Sequence, residues 1–160
     1  MVQLDAMSEE DFQASKARAI PRHAANQVRR GVWVAEEAEA ASREYFAELL
    51  PQGRETPHYH FCNIVDEKTA SRVGETWYSV RTKGGKTQFW IDWIWIEPTF
   101  RRRGFATQVF RLFEQMAIEA GADRVGLHVL ADNDCALALY AKLGFRTTNM
   151  SMAKMLHPPS

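Results

Sequence analysis

"FWIDWIWIEPTFRRRGFA", residues 89–106, decides how this chain is read. Its first eight residues are large and apolar except for Asp92. Alternation puts Phe89, Ile91, Trp93 and Trp95 on one face and Trp90, Ile94 and Ile96 on the other, which predicts a central strand covered on both sides. An unpaired carboxylate there would be costly, so Asp92 must have a partner, water access or a raised pKa. Beyond Pro98, Arg101, Arg102, Arg103 and Gly104 stand where the strand hands over to a helix. The free N–H groups and dipole of a helix start attract phosphate. Gly104 lets a ligand approach the backbone, and Ala106 adds little bulk. The plainer alternative is a solvated basic turn, and the junction alone weighs the two evenly.

Downstream, Phe105, Val109, Leu112, Phe113, Met116 and Ala120 form one helical stripe that Gly121 ends. "RVGLHVLA" reads as the next strand, Asp132 or Asn133 as the cap of a helix running through Leu143, Gly144 as its stop, and "SMAKML" as a final strand. The tail from His157 to Ser160 is expected to be loose. Upstream, "HYHFCNIV" and "RVGETWYSV" are strands joined across Asp66 to Ser71, and "RTKGGKTQ" supplies the glycines of a hairpin turn. Before them, Ser8 and Asp11 open a helix expected to end or kink at Pro21, with Arg29-Arg30-Gly31 beyond, and Ala35 to Leu50 makes a second helix stopped by Pro51 and Gly53.

The reading is an α/β (α+β) fold with a mixed, mostly antiparallel central sheet flanked by helices. A single domain is expected over residues 1–160, with a helical acceptor-side region at 1–57 and a core at 58–156. Lys+Arg and Asp+Glu each total 20, so no long-range field draws the molecule to nucleic acid or an anionic membrane. The longest apolar run falls far short of the roughly 20 residues that span a bilayer, and the acidic start lacks a secretory pattern, so the expected location is cytoplasmic. Cys62 and Cys135 have no ligand spacing and are read as reduced packing residues.

Arg101-x-x-Gly104-x-Ala106 resembles the R/Q-x-x-G-x-G/A acyl-CoA signature of the GNAT acetyltransferase superfamily, and "NDCALALYAKLGF", Asn133 to Phe145, is similar to that family's N-x-x-A-x-x-L-Y-x-x-x-G-F segment. The resemblance covers about residues 58 to 156. Ala106 stands where many relatives have glycine, and Arg102 and Arg103 where Gly and Lys are frequent. It implies that the turn Arg101, Arg102, Arg103, Gly104, Phe105, Ala106 and Thr107 holds the CoA pyrophosphate. Ile94, Trp95 and Ile96 would pair with the pantetheine arm, and Asn133 would touch it. It implies acetyl-CoA as co-substrate, an amine acceptor, and direct attack of the amine on the thioester.

That chemistry needs a base, because an alkyl amine of pKa about 10.4 is neutral in only about one molecule in two thousand at pH 7. His128, placed on a strand where some relatives carry a catalytic glutamate, and Asp92 are the leading candidates, with Glu97 behind. The alternatives are a core or sheet-face histidine, a carboxylate tying down a neighbouring element, and an exposed acid. The resemblance also implies an oxyanion donor from a bulge before Pro98, assigned to Ile94–Ile96, and Tyr140 as the acid that protonates the departing thiolate. Helical spacing alone would put Tyr140 in a core stripe with Ala136, Leu139 and Leu143.

Other features are set aside. His58 and His60 share a strand face without a third ligand, so no metal is expected. Lys83-Gly84-Gly85-Lys86 is a hairpin tip, and most of Trp77, Trp90, Trp93 and Trp95 belong to two core layers. Exposed tryptophans on the first strands would indicate a homodimer. The readings are an acetyl-CoA-dependent N-acetyltransferase acting on a primary amine of a small molecule or peptide and, as the alternative, a non-catalytic module binding acyl-CoA or a partner on the same scaffold.

Overall fold

The computed structural model describes residues 1–157, so the part of the expected loose tail at 158–160 lies outside the described residues. The described chain forms two compact units, residues 1–128 and the stretch from Val129 onward.

The first unit is a five-stranded sheet in the order β1-β2-β3-β4-β5, with β1 Val2–Ala6, β2 Tyr59–Asp66, β3 Ser71–Lys83, β4 Lys86–Ile96 and β5 Arg124–Leu127. The first three pairings, β1 with β2, β2 with β3 and β3 with β4, are antiparallel, and β4 with β5 is parallel. Helices α1 Glu9–Arg29 and α2 Ala35–Leu49 lie on one face, where Met7, Phe12, Ala19, Phe46, Leu50, Phe61 and Trp77 make a core. Helix α3, Phe105–Glu119, covers the other face, with Phe113 5.4 Å from Phe89 and 5.8 Å from Tyr78 between ring centroids.

Strand β1 was not expected. Val2, Leu4 and Ala6 alternate with Gln3 and Asp5, a period too short to stand out in the sequence, and pairing from Val2↔Asp66 to Ala6↔Cys62 makes the stretch a strand. The three central strands and both hairpin turns fall where periodicity put them. Helix α1 opens as expected, with Ser8 Oγ accepting from the Asp11 N–H at 3.1 Å. It does not end at Pro21. Proline removes one intrahelical donor, and packing against α2 offsets that loss. Ala19 and Ala24 are buried on either side, and Ser42 Oγ donates to the Ile20 carbonyl at 3.1 Å. With its hydrogen spent, Ser42 Oγ accepts from His23 Nδ1 at 2.9 Å, and burial lowers the pKa of this imidazole. The helix closes at Arg29-Arg30-Gly31.

Three expectations about faces and edges are corrected. The middle of the sheet is β3, buried without a break from Val73 to Ser79, while β4 beyond Ile91 is only half-buried. The buried stripe of α3 is Val109, Phe110, Phe113 and Ala117, rotated from the expected one, with Ala120 exposed. Strand β5 stops at Leu127, and no strand forms across "SMAKML" among the described residues.

The second unit carries α4, Asp134–Lys142. Asn133 caps it, its Oδ1 accepting from the Ala136 N–H at 3.3 Å, and Gly144 follows it with φ +88°. Tyr140 lies 5.7 Å from the Phe145 ring. Cys62 is buried but Cys135 is exposed in the first turn of α4, so only the former is a packing residue.

Candidate active site

The site is built on a defect in β4. Trp77 pairs with Trp93, but Tyr78, the next residue of β3, pairs with Ile91. Asp92 is the extra residue of a β-bulge. The bulge reverses the alternation: Phe89 and Ile91 stay on the α3 face, whereas Trp93 joins Trp77 on the α1/α2 face. The single face expected for Phe89, Ile91, Trp93 and Trp95 is therefore split between the two sides. The expected bulge exists, three residues or so before its predicted place at Ile94–Ile96.

Beyond the bulge β4 also loses its parallel neighbour, since β5 pairs only with Gln88 to Ile91. The Glu97 N–H donates to the Val73 carbonyl at 2.9 Å, and the Trp93 carbonyl accepts from Thr76 Oγ1 at 2.7 Å. Trp93, Trp95 and Glu97 thus turn their backbone groups toward β3, and alternation turns those of Ile94 and Ile96 toward the unpaired edge. Arg101 Nε takes the Ile96 carbonyl at 2.8 Å, which leaves the Ile96 N–H and both groups of Ile94 facing that edge. Gly74 makes the pairing here possible, for a Cβ at that position would stand 2.1 Å from the Trp95 carbonyl oxygen.

The turn that follows is wound in the unusual half of backbone space. Arg102 has φ +62° and Gly104 φ +82°, and α3 starts at Phe105. Alternating hands aim successive amides into one concavity beside a helix N-terminus, the backbone arrangement that binds anions. Arg101, Arg102, Arg103 and Gly104 are exposed, while Phe105, Ala106 and Thr107 are half-buried. These features fit an acyl-CoA: an open strand edge for an amide-bearing arm and a cationic turn for phosphates.

Of the base candidates, Asp92 stands apart. Burial pushes its carboxyl up to about 6, opposed by the Ser79 hydroxyl and the Arg81 guanidinium. Asp92 Oδ2 and Ser79 Oγ are buried, and neither completes a hydrogen bond among the described residues. Glu97 is committed instead: Arg72 Nη1 holds it at 2.8 Å and keeps its carboxyl below the usual range. His128 lies one residue past the end of β5 and is exposed, contrary to the expected strand position. Tyr140 and Asn133 belong to the second unit, where burial raises the Tyr140 pKa.

Sequence reasoning missed Glu75. It is fully buried on β3, takes Arg18 Nε at 3.2 Å, Arg72 Nη2 at 2.7 Å and the Trp93 indole N–H at 3.1 Å, and also pairs with Arg18 Nη2. Two guanidiniums and an indole satisfy a charge that would otherwise be untenable there. The signal was the same as for Asp92, a lone acid in an apolar strand. Also missed was Arg22 of α1, whose guanidinium lies 3.6 Å from the centroid of the Trp95 ring.

Residues 22–145 match the acetyltransferase (GNAT) family, and the chain belongs to it. Two Bacillus subtilis proteins, both named uncharacterized N-acetyltransferases, are similar over nearly their whole length. YdgE is 30% identical over 153 residues, 96% of this chain and 97% of its own, and YycN is 31% identical over 156 residues, 97% and 99%. The crystal structure of YycN matches the fold with a TM-score of 0.90 over 99% of this chain and 100% of that one, at 29% identity. The family uses acetyl-CoA as co-substrate, and acetyl transfer is the chemistry that membership supports. Among the described residues no helix is long and apolar enough to cross a membrane, and no three His, Cys, Asp or Glu residues are grouped to hold a metal ion.

Proposed function

We propose that the chain is an acetyl-CoA-dependent N-acetyltransferase that moves the acetyl group directly to a primary amine of a small molecule or peptide, with Asp92 as general base. The observation that carries this reading is the bulge. It places a half-buried carboxylate with one buried, unbonded oxygen, its pKa pushed up to about 6, at the point where β4 leaves β5 and opens its backbone edge.

Acetyl-CoA supplies the activated acetyl group. In the proposed arrangement Ile94 and Ile96 offer backbone groups to the pantetheine arm, and the amides from Arg102 to Thr107, with their arginines, hold the pyrophosphate. Asn133 already spends its side chain on capping α4, so any contact it makes with the arm is shared with that bond. Asp92 takes a proton from the ammonium form of the acceptor. The freed nitrogen bonds to the thioester carbon and gives its second proton to solvent, the C–S bond breaks, and the sulfur leaves with a proton from Tyr140, which is assigned by the motif around it and regains its proton from solvent. A carboxylate near 6 is mostly ionised at pH 7 yet more basic than an ordinary aspartate, which suits the task.

The test is an acetyl-transfer assay over a panel of primary amines, following CoA release together with acetylated product. Turnover that depends on the amine is expected. Tight acetyl-CoA binding with no product across the panel would leave only a binding module.

A further inference from the structure

Trp95 carries two cations. Arg22, from α1, lies 3.6 Å from its ring centroid and Arg101, from the turn after β4, lies 4.3 Å from it. Both guanidiniums lie against the one ring, so their central carbons are at most about 8 Å apart. Two cations held this close offer paired N–H donors to one carboxylate or phosphate that lodges between them.

The neighbouring acids are spent elsewhere. Glu75 binds Arg18 and Arg72, Glu97 binds Arg72, and Asp11 accepts from Asn63. No ion pair joins Arg22 or Arg101 to an acid among the described residues, although other arginines of this face, Arg18 and Arg72, have one. Burial and the nearby Arg101 charge lower the Arg22 pKa, a cost that a bound anion would relieve, and both side chains are exposed enough for a ligand to reach.

We propose that Arg22 and Arg101, both held against the Trp95 ring, form a clamp for an anionic group on the acceptor. The clamp rests on the reading of Asp92 as the base and deepens it. Asp92 and Trp95 are three residues apart on β4, and both face the α1/α2 side. At about 3.3 Å per residue the two backbone positions are at most about 10 Å apart along the strand. That spacing favours elongated amines with a remote carboxylate, such as ω-amino acids or a lysine side chain with a free carboxyl end, over α-amino acids reacting at the α-nitrogen.

The experiment compares 6-aminohexanoate with 6-aminohexanamide and glycine in the full-length protein and in Arg22→Gln. The clamp predicts that 6-aminohexanoate exceeds its amide and glycine by about tenfold or more in kcat/KM. Arg22→Gln should erase the advantage by raising KM for the anionic acceptor, with kcat and the KM for acetyl-CoA unchanged. Equal use of acid and amide by the wild type, equal loss for both in the variant, or a rise in the acetyl-CoA KM, which would assign the arginines to CoA phosphate, each overturns it. Calorimetric binding of 6-acetamidohexanoate against its amide reads the clamp without turnover. Preference for the acid, lost in Arg22→Gln, supports the clamp even if the Asp92 reading fails, and no preference overturns it.

Discussion

Asp92 and Ser79 lie next to each other on β4 and β3, and the buried Oδ2 of one and Oγ of the other are both left without a completed hydrogen bond. A buried polar group without a partner costs about 1–3 kcal/mol, and here the Ser79 hydroxyl offsets part of that cost, drawing down the Asp92 pKa that burial raises. A carboxyl in this setting holds its proton more tightly than an exposed one.

Asp92→Asn tests this in two opposite directions. Acetyl transfer should fall by about 10²–10⁴. In the wild type kcat/KM should rise with pH through an acid limb near 6, and the variant should lack that limb. The folded pKa lies above the ordinary 3.8, so the unfolded chain ionises first and stability from Asp92 is lost as pH rises from about 4 through 6. Above that window the variant should be the more stable, by up to about 3 kcal/mol, and below pH 4 the two should converge. Thermal melts across pH 3.5–8 measure it.

Tyr140→Phe separates proton donation from packing. Burial raises the Tyr140 pKa, so the phenol is protonated at neutral pH. If it supplies the leaving thiolate's proton, kcat should drop about 10- to 100-fold with acetyl-CoA affinity nearly intact. Unchanged turnover would return Tyr140 to a packing role beside Phe145.

Gly74→Ala should break the strand that offers its edge. The new methyl would stand 2.1 Å from a backbone oxygen, which no rotamer change relieves, so β3 and β4 must separate beside Ile96. A loss of about 3 kcal/mol or more in denaturant unfolding is expected, with a raised KM for acetyl-CoA in whatever fraction folds.

Arg102→Gly should do the reverse. A side chain at φ +62° costs about 1–2 kcal/mol, and glycine's extra unfolded-state freedom returns about 0.5–1 of that. A net gain of up to about 1 kcal/mol should raise Tm by a few degrees, with acetyl-CoA binding weakened by loss of the guanidinium but kept in part by the Arg102 amide. The strain also gives a reason for the glycine that is frequent at this position in sequences of this type.

What the sequence determined by itself was whatever rests on local chemistry. The hairpins at Asp66–Ser71 and Gly84-Gly85, the Ser8 and Asn133 caps, the strand running to Ile96 and the Arg101-to-Ala106 turn follow from period, turn residues and motif within a few positions of one another. Family membership was legible for the same reason, because its two signatures are short and contiguous. What only the tertiary structure decided depends on neighbours distant in the chain. Val2–Ala6 is a strand because β2 offers it an edge, and α1 continues through Pro21 because α2 packs beside it. Glu75 is tolerated because Arg18 and Arg72 reach it. Above all, alternation along β4 gives no hint of where a residue is inserted. One extra residue opposite Trp77 moves Trp93 to the other face and leaves Asp92 a half-buried acid with an altered pKa, because a bulge is a property of a pair of strands.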